Sequence, residues 1–388
     1  MPSISDLRQR QALPLNAKIL MSQSRIREWY THWEGDVCVS FSGGKDSTVL
    51  ANLVHDMYPK VPLIFVNTGL EYPEIQSFAK KMGAEFLRPK MRFDEVISKY
   101  GYPIISKEVS LAIYYARRIS KNVKVNKSNN DNHWETIKHG EKTAEYYKRK
   151  MLGEKKFIKD GKEISDLFNM RKWLDLCNET EFMIANNCCS VMKKTPMAKY
   201  QKEAQLYPIL GTMAEESRLR EQAWLRNGCN AFNSKKKTSQ PLSFWTEQDI
   251  LKYIKTNDLE ISKVYGDIVC VDDQGFEYEP LPGIDCTLKC TGCKRTGCMF
   301  CAYGQHLVKD KTKFQMLAET HPKQYEYCMG GGQWVDNPKY DPSAPKYAGD
   351  WKNWNPKKIW VPSKKGLGMK KVFDDCNKIY GKDFIRYE

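Results

Sequence analysis

No stretch of the chain approaches the roughly 20 consecutive apolar residues needed to cross a bilayer. The opening MPSISDLRQRQALPLN has no apolar h-region. Neither a membrane partner nor a secretory signal is therefore expected. Negative charge is also scarce: 47 Asp+Glu stand against 62 Lys+Arg, a formal net charge of +15. Such a surface attracts polyanions such as nucleic acid, nucleotides or anionic lipid heads, but charge alone names no partner. There is no internal repeat. What is present is a 388-residue chain, 41% hydrophobic, 12% aromatic and 28% charged. That composition is globular, neither disordered nor fibrous, with length for two to three domains and a substantial core. Thirteen cysteines without an export signal point to a reduced, cytoplasmic setting and argue against a disulfide framework. Five of them fall between Cys286 and Cys301.

Apolar residues recur at helical spacing over 17–33, which predicts an N-terminal helix. Two short β-branched or aromatic runs follow, Val37–Phe41 and Val61–Val66, each ending at a Gly-containing turn. Helices are expected over Thr48–Tyr58 and Tyr72–Met82. Strand, helix, strand, helix at this spacing implies an α/β fold: a doubly wound, mostly parallel sheet flanked by helices. A later buried strand is expected over Gln205–Gly211, and a helix over Thr246–Asn257 with Asp249 near its capping Thr246. Residues 117–163 carry 14 Lys/Arg against 7 Asp/Glu around an SNNDN patch. They read as a basic helical insertion, bounded here at 117–170, either a solvated face or an arm for a polyanion. The tail from Gln333 spreads Trp334, Trp351, Trp354 and Trp360 among prolines and lysines. These aromatics either stack bases or pack a small C-terminal module. The expected organisation is an N-terminal helical segment (1–35), a nucleotide-binding α/β domain (36–260) and a Cys-rich, aromatic and basic region (261–388).

Ser42-Gly43-Gly44-Lys45-Asp46-Ser47 sits where the first strand hands over to a helix. The two glycines let the backbone approach a ligand and turn its N–H groups toward it. Ser42, Lys45 and Ser47 add donors, and the following helix points its positive end at the same spot. This is a phosphate cradle, though not a Walker A loop, which needs G-x-x-x-x-G-K-[ST].

The string resembles the S-G-G-x-D-S pyrophosphate loop of the N-type ATP pyrophosphatases, within the adenine nucleotide alpha hydrolase superfamily. Further motifs resemble the phosphoadenosine phosphosulfate (PAPS) reductase branch in particular. Asn67-Thr-Gly-Leu-Glu-Tyr-Pro-Glu74 is similar to its D-T-G-x-x-F/Y-P-E segment, with Asn for Asp. Ser106-Lys-Glu108 is similar to its S-K-E element, and Cys188-Cys189 to its vicinal pair. Glu216, Ser217 and Arg220 fit its G-x-R-x-x-E-S-x-x-R stretch, and Pro241-Leu242, Trp245-Thr246 and Asp249-Ile250 fit its P-L-x-x-W-T-x-x-D segment. The resemblance covers residues 30 to 305. The chain departs from it in two places: Met213 stands where the family has Arg, and the C-terminal E-C-G-x-H motif of the true reductases is missing. Cys328 and Cys376 are the nucleophile candidates left.

The spacing C-x3-C-x2-C-x4-C-x2-C of Cys286, Cys290, Cys293, Cys298 and Cys301 suits a metal centre. One reading is a four-cysteine zinc site of Cys290, Cys293, Cys298 and Cys301. A radical-SAM triplet is a poor fit, because too little chain follows it for a barrel. The resemblance implies a third reading, the family's iron–sulfur branch. There a vicinal pair and a later C-x2-C hold one [4Fe–4S] cluster, which here means Cys188, Cys189, Cys298 and Cys301. Cys286, Cys290 and Cys293 are then supporting residues, a separate zinc site or sulfur relays.

The resemblance implies an adenosine nucleotide, ATP or else PAPS or its 3′-dephospho form APS, with phosphates over the loop. In the ATP class Mg²⁺ assists release of pyrophosphate, and sulfur displaces AMP from an adenylated substrate. In the reductase class a Cys thiolate attacks a sulfonucleotide and a carrier protein regenerates it. The complete loop and the missing terminal motif favour the first. A subunit that senses nucleotide without turnover is the non-enzymatic alternative. Net charge suggests tRNA or DNA as sulfur acceptor, with a sulfur donor or electron carrier as protein partner. The backbone of Gly43 and Gly44, with Ser42, Lys45 and Ser47, is expected to hold phosphate. Asp46 is expected to orient Mg²⁺ or the loop, and Thr68 and Gly69 to lie by the adenine or ribose. Glu216 and Ser217 are expected to contact the nucleotide, and Lys107 and Arg220 to clamp the anion.

Overall fold

The computed structural model describes residues 2–119, 141–153, 156–159, 162–165, 170–279, 286–348 and 351–388. No helix among them is long and apolar enough to cross a membrane. The chain forms two compact units, Met1–Lys90 with Lys193–Cys298, and Met91–Met192 with Met299–Glu388. The chain passes from one unit to the other after Lys90, Met192 and Cys298.

The first unit is built on a parallel sheet. Strands β1 (Val37–Phe41), β2 (Leu63–Val66) and β3 (Glu85–Leu87) lie in the order β3-β2-β1, followed by the strand Tyr207–Leu210. Val39 registers with Leu63, and Val37 with Tyr207. The α/β fold with its helix-flanked parallel sheet is as the sequence implied. Helices α1 (Ile4–Gln11), α2 (Leu15–His32), α3 (Lys45–Met57) and α4 (Pro73–Lys81) precede or connect the strands. Their boundaries depart from expectation for local reasons. The loop helix α3 starts three residues before Thr48 because Gly44 acts as its N-cap, so Lys45, Asp46 and Ser47 form its first turn. Pro62 has no N–H for the ladder, and β2 begins after it. Gln205, at φ 54°, ends the preceding helix in a left-handed turn and delays the next strand to Tyr207.

Helix α2 is anchored by polar contacts as well as by its apolar face. The buried Lys18 ammonium lies 2.6 Å from Asp249, and Trp29 donates to the Tyr207 carbonyl. Asp249 also accepts from the Thr246 N–H, completing the expected capping box on the helix Glu247–Thr256. Strand β3 was not foreseen from sequence. Nor was the antiparallel sheet of Ile268–Val271, Glu277–Tyr278 and Thr287–Cys290.

In the second unit Ile104–Ile105 pairs in parallel with Ala302–Tyr303. Helix Lys107–Ala116 is capped by Ser106. Helix Glu141–Leu152 packs on it, stacking Tyr147 on Tyr115 at 5.4 Å and pairing Lys150 with Glu108 at 3.1 Å. That helix and the hairpin of Lys156–Lys159 with Lys162–Ser165 form most of the described part of the basic insertion. The SNNDN patch lies outside the described residues. Three of the four tail tryptophans pack a module, while Trp334 is exposed: Trp360 donates to Gly368, Trp354 donates to Thr180, and Trp351 is buried.

Candidate functional site

The Ser42–Ser47 loop emerges from the C-terminal end of β1. The sheet order changes direction at this strand, and ligands of open α/β sheets collect at such a point. Gly43 holds φ +69°, and a Cβ there would stand 2.8 Å from the Ile75 side chain. At Gly44 a Cβ would stand 3.1 Å from the Tyr265 hydroxyl, which receives the Lys45 N–H and is 2.7 Å from Thr296 Oγ1. Ser42 Oγ and Ser47 Oγ lie 3.0 Å apart, Ser42 Oγ accepts from the Gly44 N–H, and Ser47 Oγ donates to the Gly44 carbonyl. The loop is thus shaped by its own serines and by Tyr265 and Thr296.

A cavity of about 240 Å³ opens beside it, still within the first unit. Ser42, Val66, Glu71, Lys193, Met197 and Thr296 are among the residues that line it. The buried carboxylate of Glu71 accepts from the Thr68 N–H and hydroxyl, and lies 3.1 Å from the Lys193 ammonium. Burial works against that ammonium. The sulfur of Cys298 and the Glu71 carboxylate outweigh it and keep Lys193 protonated. Thr68 therefore braces the cavity through Glu71. Gly69 holds φ +76°, and a Cβ added there would meet nothing within 4 Å.

Charge gathers on the other flank of the loop. The buried Lys45 ammonium donates to the Lys294 carbonyl at 3.0 Å and pairs with Glu247 at 3.1 Å. It also lies 5.6 Å from the centre of the Tyr265 ring. Burial raises the Asp46 carboxyl above the ordinary range. Lys45 pulls it down, Glu247 pushes it up, and Arg295 and Arg220 pull it down again. Its Oδ1 is buried without a hydrogen-bond partner among the described residues, 4.0 Å from the Lys45 ammonium. Glu216 accepts from the Met213 N–H and pairs with Arg220, while Ser217 caps the helix Arg218–Asn227. Both shape the turn that presents Arg220, and Met213 is buried there. Lys107 belongs to the second unit, exposed on the first turn of its helix.

None of the four predicted cluster ligands is in a disulfide. Cys188, Cys189 and Cys301 belong to the second unit and lie near enough to the Tyr303 phenol to act on its charge. Burial drives that group's pKa up, a Ser110 hydrogen bond opposes it, and the three sulfurs add to the rise. Cys298 lies in the first unit by Lys193. The members of the zinc set in this unit meet different neighbours: Cys290 faces the charges of Lys45, Glu247 and Asp46, Cys293 contacts Tyr72, and Cys298 contacts Lys193. Among the described residues no three Cys, His, Asp or Glu side chains are gathered as a metal site. By donor type alone, four cysteine thiolates are the set an iron–sulfur cluster takes. One expectation is corrected: Cys286 forms a disulfide with Cys270 and is not a free relay thiol.

The chain matches the family model of the phosphoadenosine phosphosulfate reductase domain over residues 36–130 and 105–303. It belongs to that family. An uncharacterized protein of Methanocaldococcus jannaschii is 22% identical over 327 residues, 81% of this chain and 51% of the relative. The chain spans about half the length of the curated relative it matches. Among solved structures, a phosphoadenylyl-sulfate (PAPS) reductase from Candida auris in complex with phosphate aligns at 13% identity and TM-score 0.32, over 68% of this chain and 91% of that one. The U34-tRNA thiolase NcsA from Methanococcus maripaludis, with its [4Fe–4S] cluster, aligns at 15% identity and TM-score 0.27, over 64% and 67%. Within this family member, sequence reasoning missed Glu71, Lys193, Glu247, Tyr265, Arg295 and Thr296. Glu71 sits inside the quoted Asn67–Glu74 motif, and Lys193 follows the vicinal cysteines closely. The other four lie some 200 residues or more after the glycine loop; Glu247 falls inside the quoted Pro241–Ile250 motif, and nothing in the sequence ties any of them to the loop.

Proposed function

We propose that the first unit binds ATP with its phosphates on the Ser42–Ser47 loop and its nucleoside in the neighbouring cavity. There it adenylates an oxygen of an acceptor and releases pyrophosphate, and a sulfur nucleophile then displaces AMP. The observation that carries this reading is the complete loop at the switch point, with an open cavity beside it and Lys45, Arg220 and Arg295 on its flank. The amides of Gly43 to Ser47 and the Lys45 ammonium hold the leaving pyrophosphate. Asp46, with an unpartnered carboxylate oxygen, serves Mg²⁺. Cys188, Cys189, Cys298 and Cys301 are the thiols offered to a [4Fe–4S] cluster, which would supply sulfur-transfer or electron-transfer chemistry. The charge of +15 favours nucleic acid, tRNA or DNA, as acceptor.

A sulfonucleotide reductase is the second reading, favoured by the family match. Against it, Cys328 and Cys376 are wholly buried, and burial holds both thiols far from ionising. Neither is placed to attack a sulfonucleotide. Anaerobically purified protein should contain iron and sulfide, and Cys298→Ser should lower that content. With ATP and candidate acceptors it should release pyrophosphate. Sulfite from PAPS or APS without pyrophosphate from ATP would establish the reductase instead, and nucleotide binding without either product would leave a sensing subunit.

A further inference from the structure

We propose that the second unit holds a binding site of its own, for a nucleobase with its adjoining phosphate. The proposal does not depend on the chemistry of the glycine loop. A cavity of about 390 Å³ lies wholly in this unit, within the usual range for small-molecule sites. Its walls include Tyr100, Tyr114, Met183 and Trp354, with Arg118 and Lys339 on its polar side. No carboxylate is among the described residues that line it.

The aromatic floor is rigidly built. Trp354 donates its indole N–H to the Thr180 carbonyl at 2.7 Å and lies against the Arg117 guanidinium, 4.3 Å from its carbon. Arg117 is itself buried, donating to the carbonyls of Leu176, Cys177, Thr180 and Phe182. It has no carboxylate partner among the described residues. Burial pushes its pKa down to about 10, so it stays charged at neutral pH, a cation beside the Trp354 ring that itself lines the cavity. Arg118 lies over the Tyr115 and Tyr114 rings, at 4.6 and 5.7 Å, again without an acidic partner among the described residues.

Flat π faces beside cations that have no carboxylate partner among the described residues match a ligand that is planar at one end and anionic at the other. A base stacks on the aromatics while its phosphate meets Arg118 and Lys339. The Asn337 amide, which could read a base edge, is spent on the Pro356 carbonyl and the Lys339 N–H. The site should therefore tolerate any base. The ligand can be a free nucleotide or one unit of a single strand.

The test is fluorescence anisotropy of short labelled single-stranded RNA and DNA at about 50 mM salt, with AMP as competitor. Reversing both exposed charges, Arg118→Glu with Lys339→Glu, should weaken strand binding about tenfold or more. The same two-charge reversal at the exposed Lys60 and Lys235 of the first unit should cost much less. Trp354→Leu, checked for folding by circular dichroism, should abolish the indole quenching that accompanies binding, and Lys45→Ala should bind the strand like the parent. Displacement by AMP identifies a free nucleotide as the natural occupant, and resistance to it identifies a strand. The proposal is overturned if the parent binds neither, or if both charge reversals weaken binding equally.

Discussion

The Lys45 ammonium is committed before any nucleotide arrives. It lies 3.1 Å from Glu247, whose side chain is 45% exposed, and 3.0 Å from the Lys294 carbonyl. A phosphate on the loop must compete with that carboxylate for the same cation. Half-exposed pairs of this kind contribute up to about 1 kcal/mol, because water screens them. Removing the competitor with Glu247→Gln, which keeps the side chain's size and the helix start, should release that amount toward the nucleotide. The expected gain in ATP affinity is up to about fivefold. Lys45→Ala should lose about tenfold or more, since a charge-assisted contact to phosphate is worth about 1.5 kcal/mol or more. The two substitutions share one partner, so their effects should not add: Glu247→Gln placed on Lys45→Ala should gain little. Titration calorimetry with Mg·ATP on the four proteins reads the cycle directly. Unchanged or weakened binding in Glu247→Gln, or a full gain retained without Lys45, would refute the competition and with it the assignment of Lys45 to phosphate.

Three further outcomes follow from the same geometry. Gly43→Ala combines a left-handed φ with a Cβ 2.8 Å from Ile75; it should destabilise the protein by roughly 1–3 kcal/mol and abolish nucleotide binding, read by thermal melts and calorimetry. Burial raises the Asp46 carboxyl, so the group favours folding below the ordinary carboxylate range, and that contribution is lost as pH rises through the raised pKa. Asp46→Asn should therefore raise the melting temperature of the nucleotide-free protein at neutral pH by a few degrees, on the order of 1 kcal/mol, and change it little at strongly acid pH, while weakening Mg·ATP turnover; an equal shift at both pH values would contradict the sign. Arg117→Met removes a buried cation whose N–H groups satisfy four carbonyls, and should cost about 3 kcal/mol or more in a denaturant titration.

The strand–glycine–helix handover was legible in the sequence because its signals are local. Val37–Phe41 reads as a strand, Gly43 and Gly44 as a turn, and Thr246 with Asp249 as a cap, and each appears within a few residues of its expected place. What surrounds the loop was not legible. Tyr265, Glu247 and Thr296 reach Lys45 and Gly44 from segments far along the chain, and neither periodicity nor propensity carries such contacts. Glu216 and Ser217, for which the motif implies nucleotide contacts, also form a turn and a helix cap that no local pattern announces. The cysteine string was plain, yet spacing alone did not reveal that Cys286 would pair with Cys270 across neighbouring strands. The sequence offers base stacking or, more commonly, module packing for the tail tryptophans; burial of Trp351 and the Trp360 hydrogen bond to Gly368 give packing for those two, while Trp354, held by Thr180, also lines a cavity.

The central claim concerns where the phosphates rest. A crystal structure with Mg²⁺ and a non-hydrolysable ATP analogue tests it most directly. The account predicts phosphate oxygens within hydrogen-bond reach of the Gly43, Gly44 and Lys45 amides, with the nucleoside against Val66 and Met197. A nucleotide bound elsewhere, with this loop still closed on Tyr265 and Glu247, would contradict it.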